Sequence, residues 1–309
     1  MDYQILKNHP LAAYTTLKIG GPADTFIEAN NPDQLISILN SIYQINPSKS
    51  PLDRGDFHHQ TAPCPVKGRD GEGFPTILGN GSNVLISDSG IRGLVIRYFN
   101  PLQSIIKQTI NDGLVGLENF AYIPASLGGA IVSNIHGADK NNFNQYLNTI
   151  TIFDLSTSTT ITLQASDLKW GYDYSEFQDK PNLIILSATF NLQKGDKIAT
   201  LDNYQKIIDQ KSLTQPMNSA GCVFKNPSIS KAGLPAETLA KAGQIIDELG
   251  WKGKFVGGAQ VSEKHANFII NTGNATAKDY YTLMTQIQSD VLAKKGIRLE
   301  PEIKLLGKF

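Results

Sequence analysis

Apolar residues recur at helical spacing in two long stretches, one toward each end of the chain. Leu35, Ile38, Leu39 and Ile42 line one face of Pro32 to Tyr43. Asn31 is a good N-cap, Pro32 suits the first helical position, and Gln34 completes a capping-box pattern. Toward the other end, Tyr280, Leu283, Ile287 and Val291 form a core stripe on a helix that Thr276 and Asp279 cap and Gly296 stops. Phe26–Ala29 before the first of them, and Thr76–Leu78, Ile150–Phe153, Thr160–Leu163 and Leu183–Leu192 between them, alternate or are β-branched, as strands are. Asp154–Ser158 reads as a turn, and Asp202–Lys211 as a polar helix leading to a linker at Gln215-Pro216. Beyond it come short helices at Pro235–Ala242 and Ile245–Leu249, and strands at Gly257–Val261, Asn267–Ile270 and Leu299–Leu306. The pattern predicts an α+β chain, with an α/β region over 1–200 and a smaller α+β domain over 201–309.

At 309 residues the chain exceeds the usual size of one hydrophobic core, which agrees with that division. Residues 46–74 carry no period of either kind and read as a loop insertion. Positive and negative residues balance at 28 each, so no nucleic-acid partner is expected. Only five of the cations are arginines, so each matters where bidentate anion recognition is needed. Two cysteines, Cys64 and Cys222, exclude a disulfide framework and fit a reducing compartment. His58, His59 and Cys64 lack a fixed further ligand, so no metal site is expected. With no run long enough to span a bilayer, the expectation is a cytoplasmic protein without a membrane partner, acting as a monomer.

The chemistry concentrates in Ser219-Ala220-Gly221-Cys222-Val223-Phe224-Lys225-Asn226-Pro227. A turn followed by a short apolar run is ordinary strand entry. Gly221 permits close backbone approach, Cys222 can release a proton, and Lys225 with Asn226 can hold phosphate or carboxylate oxygens. The stretch reads either as the floor of an active site or as a glycine bend with a buried thiol acting as a small hydrophobe. Gly79-Asn80-Gly81-Ser82-Asn83 is an anion nest or a structural turn; it is neither the dinucleotide fingerprint nor a P-loop. Ile123-Pro124-Ala125-Ser126-Leu127-Gly128-Gly129-Ala130 can lay a planar ring or pyrophosphate against backbone, or can be a helix packed through glycines. Glu302, among apolar neighbours, is either an exposed alternate position or a carboxyl with a raised pKa.

The Ser219–Pro227 stretch resembles the S-A-G-[SC]-x-F-K-N-P segment of the UDP-N-acetylenolpyruvoylglucosamine reductase family. Further matches follow in the family's order at Thr15–Asp24, Leu78–Leu85, Gly116–Asn134 and Gly257–Asn271, so the resemblance runs from about Asn8 to Gly307. It implies a PCMH-type FAD-binding region, a C-terminal substrate-binding domain, and a nucleotide-sugar substrate whose enolpyruvyl double bond is reduced with FAD and NADPH. It places FAD against Gly79, Asn80, Gly81, Ser82, Asn83, Ile123, Pro124, Ser126, Gly128, Gly129 and Ala130. Cys222 takes the proton-donor position and Glu302 that of the catalytic glutamate, while Tyr172, Ser175, Lys225, Asn226, His265 and Asn267 fall at substrate-binding positions.

Two departures stand out. In Tyr172-Asp173-Tyr174-Ser175-Glu176-Phe177 the family's Y-R-x-S-x-F arginine is replaced by Asp173. Losing one charge-assisted hydrogen bond costs roughly 1.5–3 kcal/mol, or roughly tenfold to a hundredfold in rate. Either a lysine substitutes, or the reaction is slow, or the substrate differs. Between Val95-Ile96-Arg97 and Gly116 the chain has a polar helix-like stretch, Leu102–Ile110, where family members carry about two more strands. The alternatives to an active reductase are therefore a flavoprotein of the same fold with a weak or altered reaction, and a silent nucleotide-sugar-binding protein.

Overall fold

The computed structural model describes residues 3–43, 74–227 and 241–309. The predicted insertion (but for Phe74) with His58, His59 and Cys64, and all but the end of the Pro235–Ala242 helix, lie outside the described residues. In chain order the regular elements are β1 (Ile5–Pro10), β2 (Pro22–Ala29), α1 (Pro32–Tyr43), β3 (Thr76–Leu78), β4 (Val84–Ile86), β5 (Ile91–Tyr98), α2 (Leu102–Asn111) and β6 (Leu114–Val115). Then come α3 (Leu127–Ser133), β7 (Leu147–Asp154), β8 (Thr159–Gln164), β9 (Trp170–Gly171), β10 (Tyr174–Ser175), β11 (Leu183–Phe190), β12 (Gln193–Lys194) and α4 (Lys197–Thr214). The chain closes with α5 (Ala242–Glu248), β13 (Phe255–Val256), β14 (Ala259–Val261), β15 (Ile269–Asn271), α6 (Ala277–Lys295) and β16 (Lys304–Leu306).

These elements form two compact units, and neither is one continuous segment. The first lies within Met1–His9, Ala23–Asn80 and Arg92–Asp209, the second within Pro10–Pro22, Gly81–Ile91 and Gln210–Phe309. A single division at residue 200 therefore misses two early segments that pack with the C-terminal part.

In the first unit a sheet of order β1-β2-β5-β3 packs with α1, and an antiparallel sheet of order β11-β7-β8 forms the second layer. α1 starts where expected: Asn31 Oδ1 accepts from Gln34 N–H (2.8 Å) and Gln34 Oε1 from Asn30 N–H (2.8 Å). Its buried face, Leu35, Ile38 and Leu39, joins Ile27, Leu94 and Ile96 in one core. α2 is less polar than its composition reads, since Leu102, Ile106 and Ile110 are buried at helical spacing against Phe120, Ile131 and Tyr204.

The second unit is built on α6. Thr276 and Asp279 make a reciprocal capping box, Gly296 ends the helix at φ 67°, and Tyr280, Leu283, Ile287 and Val291 are buried. Asp88 adds a second cap, its carboxylate accepting from Ala277 N–H (2.8 Å) and Lys278 N–H (2.9 Å). Against α6 lie the β13-β14-β15 sheet and the parallel pair β16-β4. The final strand is shorter than expected: Lys304–Leu306 pairs with Val84–Ile86, and before it Pro301 makes a single bridge.

Candidate functional site

In the second unit Ser219–Pro227 is not the start of a strand. It makes single bridges, Ser219 with Ile270 and Phe224 with Pro301. Asn267, 3% exposed, clamps it: Val223 N–H donates to Asn267 O (2.8 Å), Phe224 N–H to Asn267 Oδ1 (3.0 Å), and Asn267 Nδ2 back to Phe224 O (2.8 Å). On the other side Glu302 N–H donates to Val223 O (2.8 Å) and Lys225 N–H to Glu300 O (2.9 Å). These bonds set Glu302 in the chain segment next to that of Cys222, although the sequence separates them widely. Val223 and Phe224 are buried, while Cys222, Lys225 and Glu302 are half-buried.

The early segments complete this arrangement. Thr16 Oγ1 donates to Ser219 O (2.7 Å) and Thr16 N–H to Gly81 O (3.2 Å). Gly81 sits at φ 60°, where an added Cβ would lie 2.4 Å from Tyr14 O, so glycine is required there by the chain's own packing. Lys304 N–H donates to Asn83 O (3.0 Å), which places Ser82 and Asn83 beside the Glu302 segment.

His265 and Asn226 have local duties. His265 Nδ1 accepts from Asn267 N–H (3.2 Å), so the neutral ring carries its proton on Nε2. Burial, with the Lys252 and Lys211 charges adding to it, holds its pKa below the ordinary imidazole range. Asn226 Oδ1 accepts from Ala242 N–H (3.0 Å) at the start of α5. Tyr280, absent from the sequence-derived site, is fully buried and its hydroxyl has no hydrogen-bond partner among the described residues. Burial, then the charge of Cys222, pushes its pKa far above the ordinary phenol range.

In the first unit the two glycine segments meet. Asn80 Nδ2 donates to Pro124 O (2.6 Å), and an added Cβ on Gly79 would lie 2.2 Å from Ser126 Oγ. Ser126 caps α3 by accepting from Gly129 N–H (3.1 Å). Leu127 and Ala130 are buried, Ile123 and Gly128 half-buried, Pro124 and Gly129 exposed. Gly79 thus serves close packing, whereas Gly128 and Gly129 leave backbone uncovered where a planar group could lie.

α3 ends at Asn134, φ 44°, whose Nδ2 donates to Gly171 O (2.9 Å) and whose Oδ1 accepts from Asn144 N–H (3.0 Å). This ties α3 to the β9-β10 hairpin, in which Tyr174 pairs with Gly171 and Ser175 with Trp170. Ser175 is buried and its hydroxyl donates to Val132 O (2.8 Å). Tyr172 is exposed at the tip, and Asp173 adopts φ 50°. Asp173 Oδ1 lies 3.3 Å from His136 Nδ1. Sequence reasoning stopped at Asn134 and passed over His136; its only signal was a histidine inside the turn-rich run Asn134-Ile135-His136-Gly137.

Among the described residues, no three His, Cys, Asp or Glu side chains cluster as metal ligands, and no helix is long and apolar enough to cross a membrane.

The C-terminal-domain model of UDP-N-acetylenolpyruvoylglucosamine reductase matches residues 212–306. UDP-N-acetylenolpyruvoylglucosamine reductase 1 of Bacillus anthracis is 33% identical over 325 residues, covering 99% of this chain and 95% of that protein. The reductase of Synechococcus sp. (strain RCC307) is 33% identical over 330 residues, covering 100% and 96%. The crystal structure of UDP-N-acetylenolpyruvylglucosamine reductase (MurB) from Thermus caldophilus matches with a TM-score of 0.74 at 26% identity, over 99% of this chain and 100% of that one. With its α+β fold and near-complete coverage, the chain belongs to the UDP-N-acetylenolpyruvoylglucosamine reductase family of oxidoreductases.

Proposed function

We propose that the chain uses FAD and NADPH to reduce UDP-N-acetylglucosamine enolpyruvate to UDP-N-acetylmuramate, in the cytoplasm, for peptidoglycan precursor synthesis. The observation that carries this reading is the Glu302 N–H to Val223 O bond, which brings the segments of Cys222 and Glu302 side by side. The uncovered backbone at Gly128 and Gly129 fits a flavin, with Asn80, Ile123, Pro124, Ser126 and Ala130 as the further residues of the first unit that would hold it. When bound, FAD supplies hydride transfer from NADPH to the enolpyruvyl double bond.

The chain's own residues then handle a proton and a developing negative charge. The Cys222 thiol donates its proton from Sγ to the carbon next to the substrate carboxylate. Glu302, as a neutral carboxyl, donates a hydrogen bond to the enolate oxygen. Lys225 supplies a cation for substrate oxygens beside them. Tyr172 offers an exposed aromatic face to substrate in the first unit. Ser175 and Asn267, both buried and hydrogen-bonded to backbone, act by positioning Tyr172 and Cys222 rather than by touching substrate.

Asp173 favours a second reading, a flavoprotein of the same fold with a weaker or altered reaction. An absorbance scan of the purified protein, followed by stopped-flow reduction with NADPH and reoxidation with the enolpyruvyl nucleotide, decides between them. Flavin bands with substrate-dependent reoxidation are expected. Flavin-loaded protein that this nucleotide does not reoxidise would overturn the first reading, and a colourless protein that cannot be loaded with FAD would overturn both.

A further inference from the structure

Tyr280 is the largest fully buried side chain among the described residues, and its hydroxyl has no hydrogen-bond partner among them. A phenylalanine would fill the same space without burying an unpaired hydroxyl. The residue is also firmly placed. It lies in the first turn of α6, which the Thr276–Asp279 capping box and the Asp88 carboxylate both fix, and its N–H donates to Thr276 O (3.2 Å). A polar group left unpaired in a well-packed core calls for a chemical reason.

That reason lies in the segment packed above it. Ala220, Val223 and Phe224, which flank Cys222, share one core of the second unit with Tyr280. At Gly221 nothing lies within 4 Å of where a Cβ would stand, so the segment is open there, and Cys222 next to it is half-buried. Among the described residues, Cys222 is the one titratable group whose charge acts on the Tyr280 phenol. Lys225 and Glu302 beside Cys222, His265 next to the Asn267 clamp, Asp247 on α5, and Lys278 and Asp279 on α6 do not. Burial keeps the phenol protonated well beyond the working pH range, so its hydroxyl remains a donor.

We propose that the Tyr280 hydroxyl donates a hydrogen bond to the Cys222 sulfur when the thiol is ionised, and so stabilises the thiolate left after proton delivery. This deepens the reductase reading above and rests on it for the origin of that thiolate. As the proton moves to the carbon next to the substrate carboxylate, the S–H bond breaks, its electron pair stays on Sγ and a C–H bond forms. A neutral thiol is a weak acceptor, which accounts for the unpaired hydroxyl at rest, whereas the charged sulfur draws a charge-assisted bond. Cys222 has other interactions, and a thiolate accepts more than one donor, so the bond from Tyr280 adds to them. A more stable thiolate makes the thiol a stronger acid toward substrate carbon. Tyr280, fully buried, acts through Cys222 and is a positioning residue.

The pH dependence of Cys222 alkylation by iodoacetamide tests this in the full-length protein, with Cys64→Ser in every variant so that one thiol reports. Tyr280→Phe is expected to raise the midpoint of the rate profile by about one pH unit or more, the low end for a hydrogen bond to a charged group. Tyr280→Leu, which also lacks the hydroxyl, is expected to raise it in the same way. Tyr281→Phe, whose ring lies against Phe309 with centroids 5.1 Å apart, is expected to leave it in place. An unchanged midpoint in Tyr280→Phe, or an equal rise in Tyr281→Phe, would overturn the proposal. Alkylation needs neither flavin nor nucleotide, so that result would leave the reductase reading intact. Flavin-loaded protein that the enolpyruvyl nucleotide fails to reoxidise would instead overturn that reading, and with it the thiolate's place in a reaction.

Discussion

The segment carrying Cys222 and the turn carrying Asp173 hold reactive side chains in opposite ways. Around Cys222 the backbone is doubly secured, since Val223 and Phe224 use both their N–H and C=O groups in bonds to Asn267 or Glu302. Around Asp173 the backbone is left-handed, one carboxylate oxygen has no hydrogen-bond partner among the described residues, and an ion pair to His136 faces the other. In the proposed role of proton donor, a thiol gains from redundancy, because small misplacements cost rate steeply. Among the described residues Asp173 has no comparable set of bonds. The first region should therefore be the one that fails through loss of chemistry or stability.

The largest effect expected is that of Cys222→Ala, which should leave flavin reduction by NADPH intact and slow reoxidation by substrate by about a hundredfold or more. If stopped-flow traces show both half-reactions still fast, the proton comes from elsewhere. Next is Asn267→Leu, which leaves the buried N–H and C=O of Phe224 without their partner and should cost about 2–5 kcal/mol in chemical denaturation. A loss below about 1 kcal/mol would show that the clamp is not what secures the segment. Tyr280→Phe removes a buried hydroxyl that has no partner among the described residues and should stabilise by about 1 kcal/mol. A destabilisation of that size would mean the hydroxyl does bond in solution, with the Cys222 thiol the first group to test.

The smallest effect concerns acid. The folded-state pKa of His265 is depressed, so as pH falls below about 6.5 the unfolded chain takes up its proton first. The stability tied to the neutral ring is complete above that pH and is lost as pH falls toward the folded value. His265→Gln keeps a side-chain acceptor for Asn267 N–H and should flatten the fall in stability between about pH 7 and pH 5. Equal slopes for the two proteins would show that other groups carry the acid sensitivity.

α1 and α6 were legible in the sequence because their caps and buried stripes are written within a few residues of one another. The motif around Cys222 was legible too, and it lies within residues 212–306, which the family model matches. Their geometry was not. Ser219–Pro227 looks like strand entry, yet its backbone bonds go to Asn267, Glu300 and Glu302, and Leu299–Leu306 looks like a full strand although it pairs at its end and by a single bridge at Pro301. The stripe on α2 was hidden by the polar residues between Leu102, Ile106 and Ile110.

Local order therefore sufficed to determine the capped helices, half of the strands, the glycine turns and the residue types offered for chemistry, since each depends on neighbours along the chain. Folding alone decided that Pro10–Pro22 and Gly81–Ile91 join the C-terminal part, that Val223 meets Glu302, and that Asp173 meets His136. The physical reason is that backbone bonds and ion pairs between distant segments have no period and no required residue type. Any N–H can find any carbonyl, and only the packed cores select which pairs form.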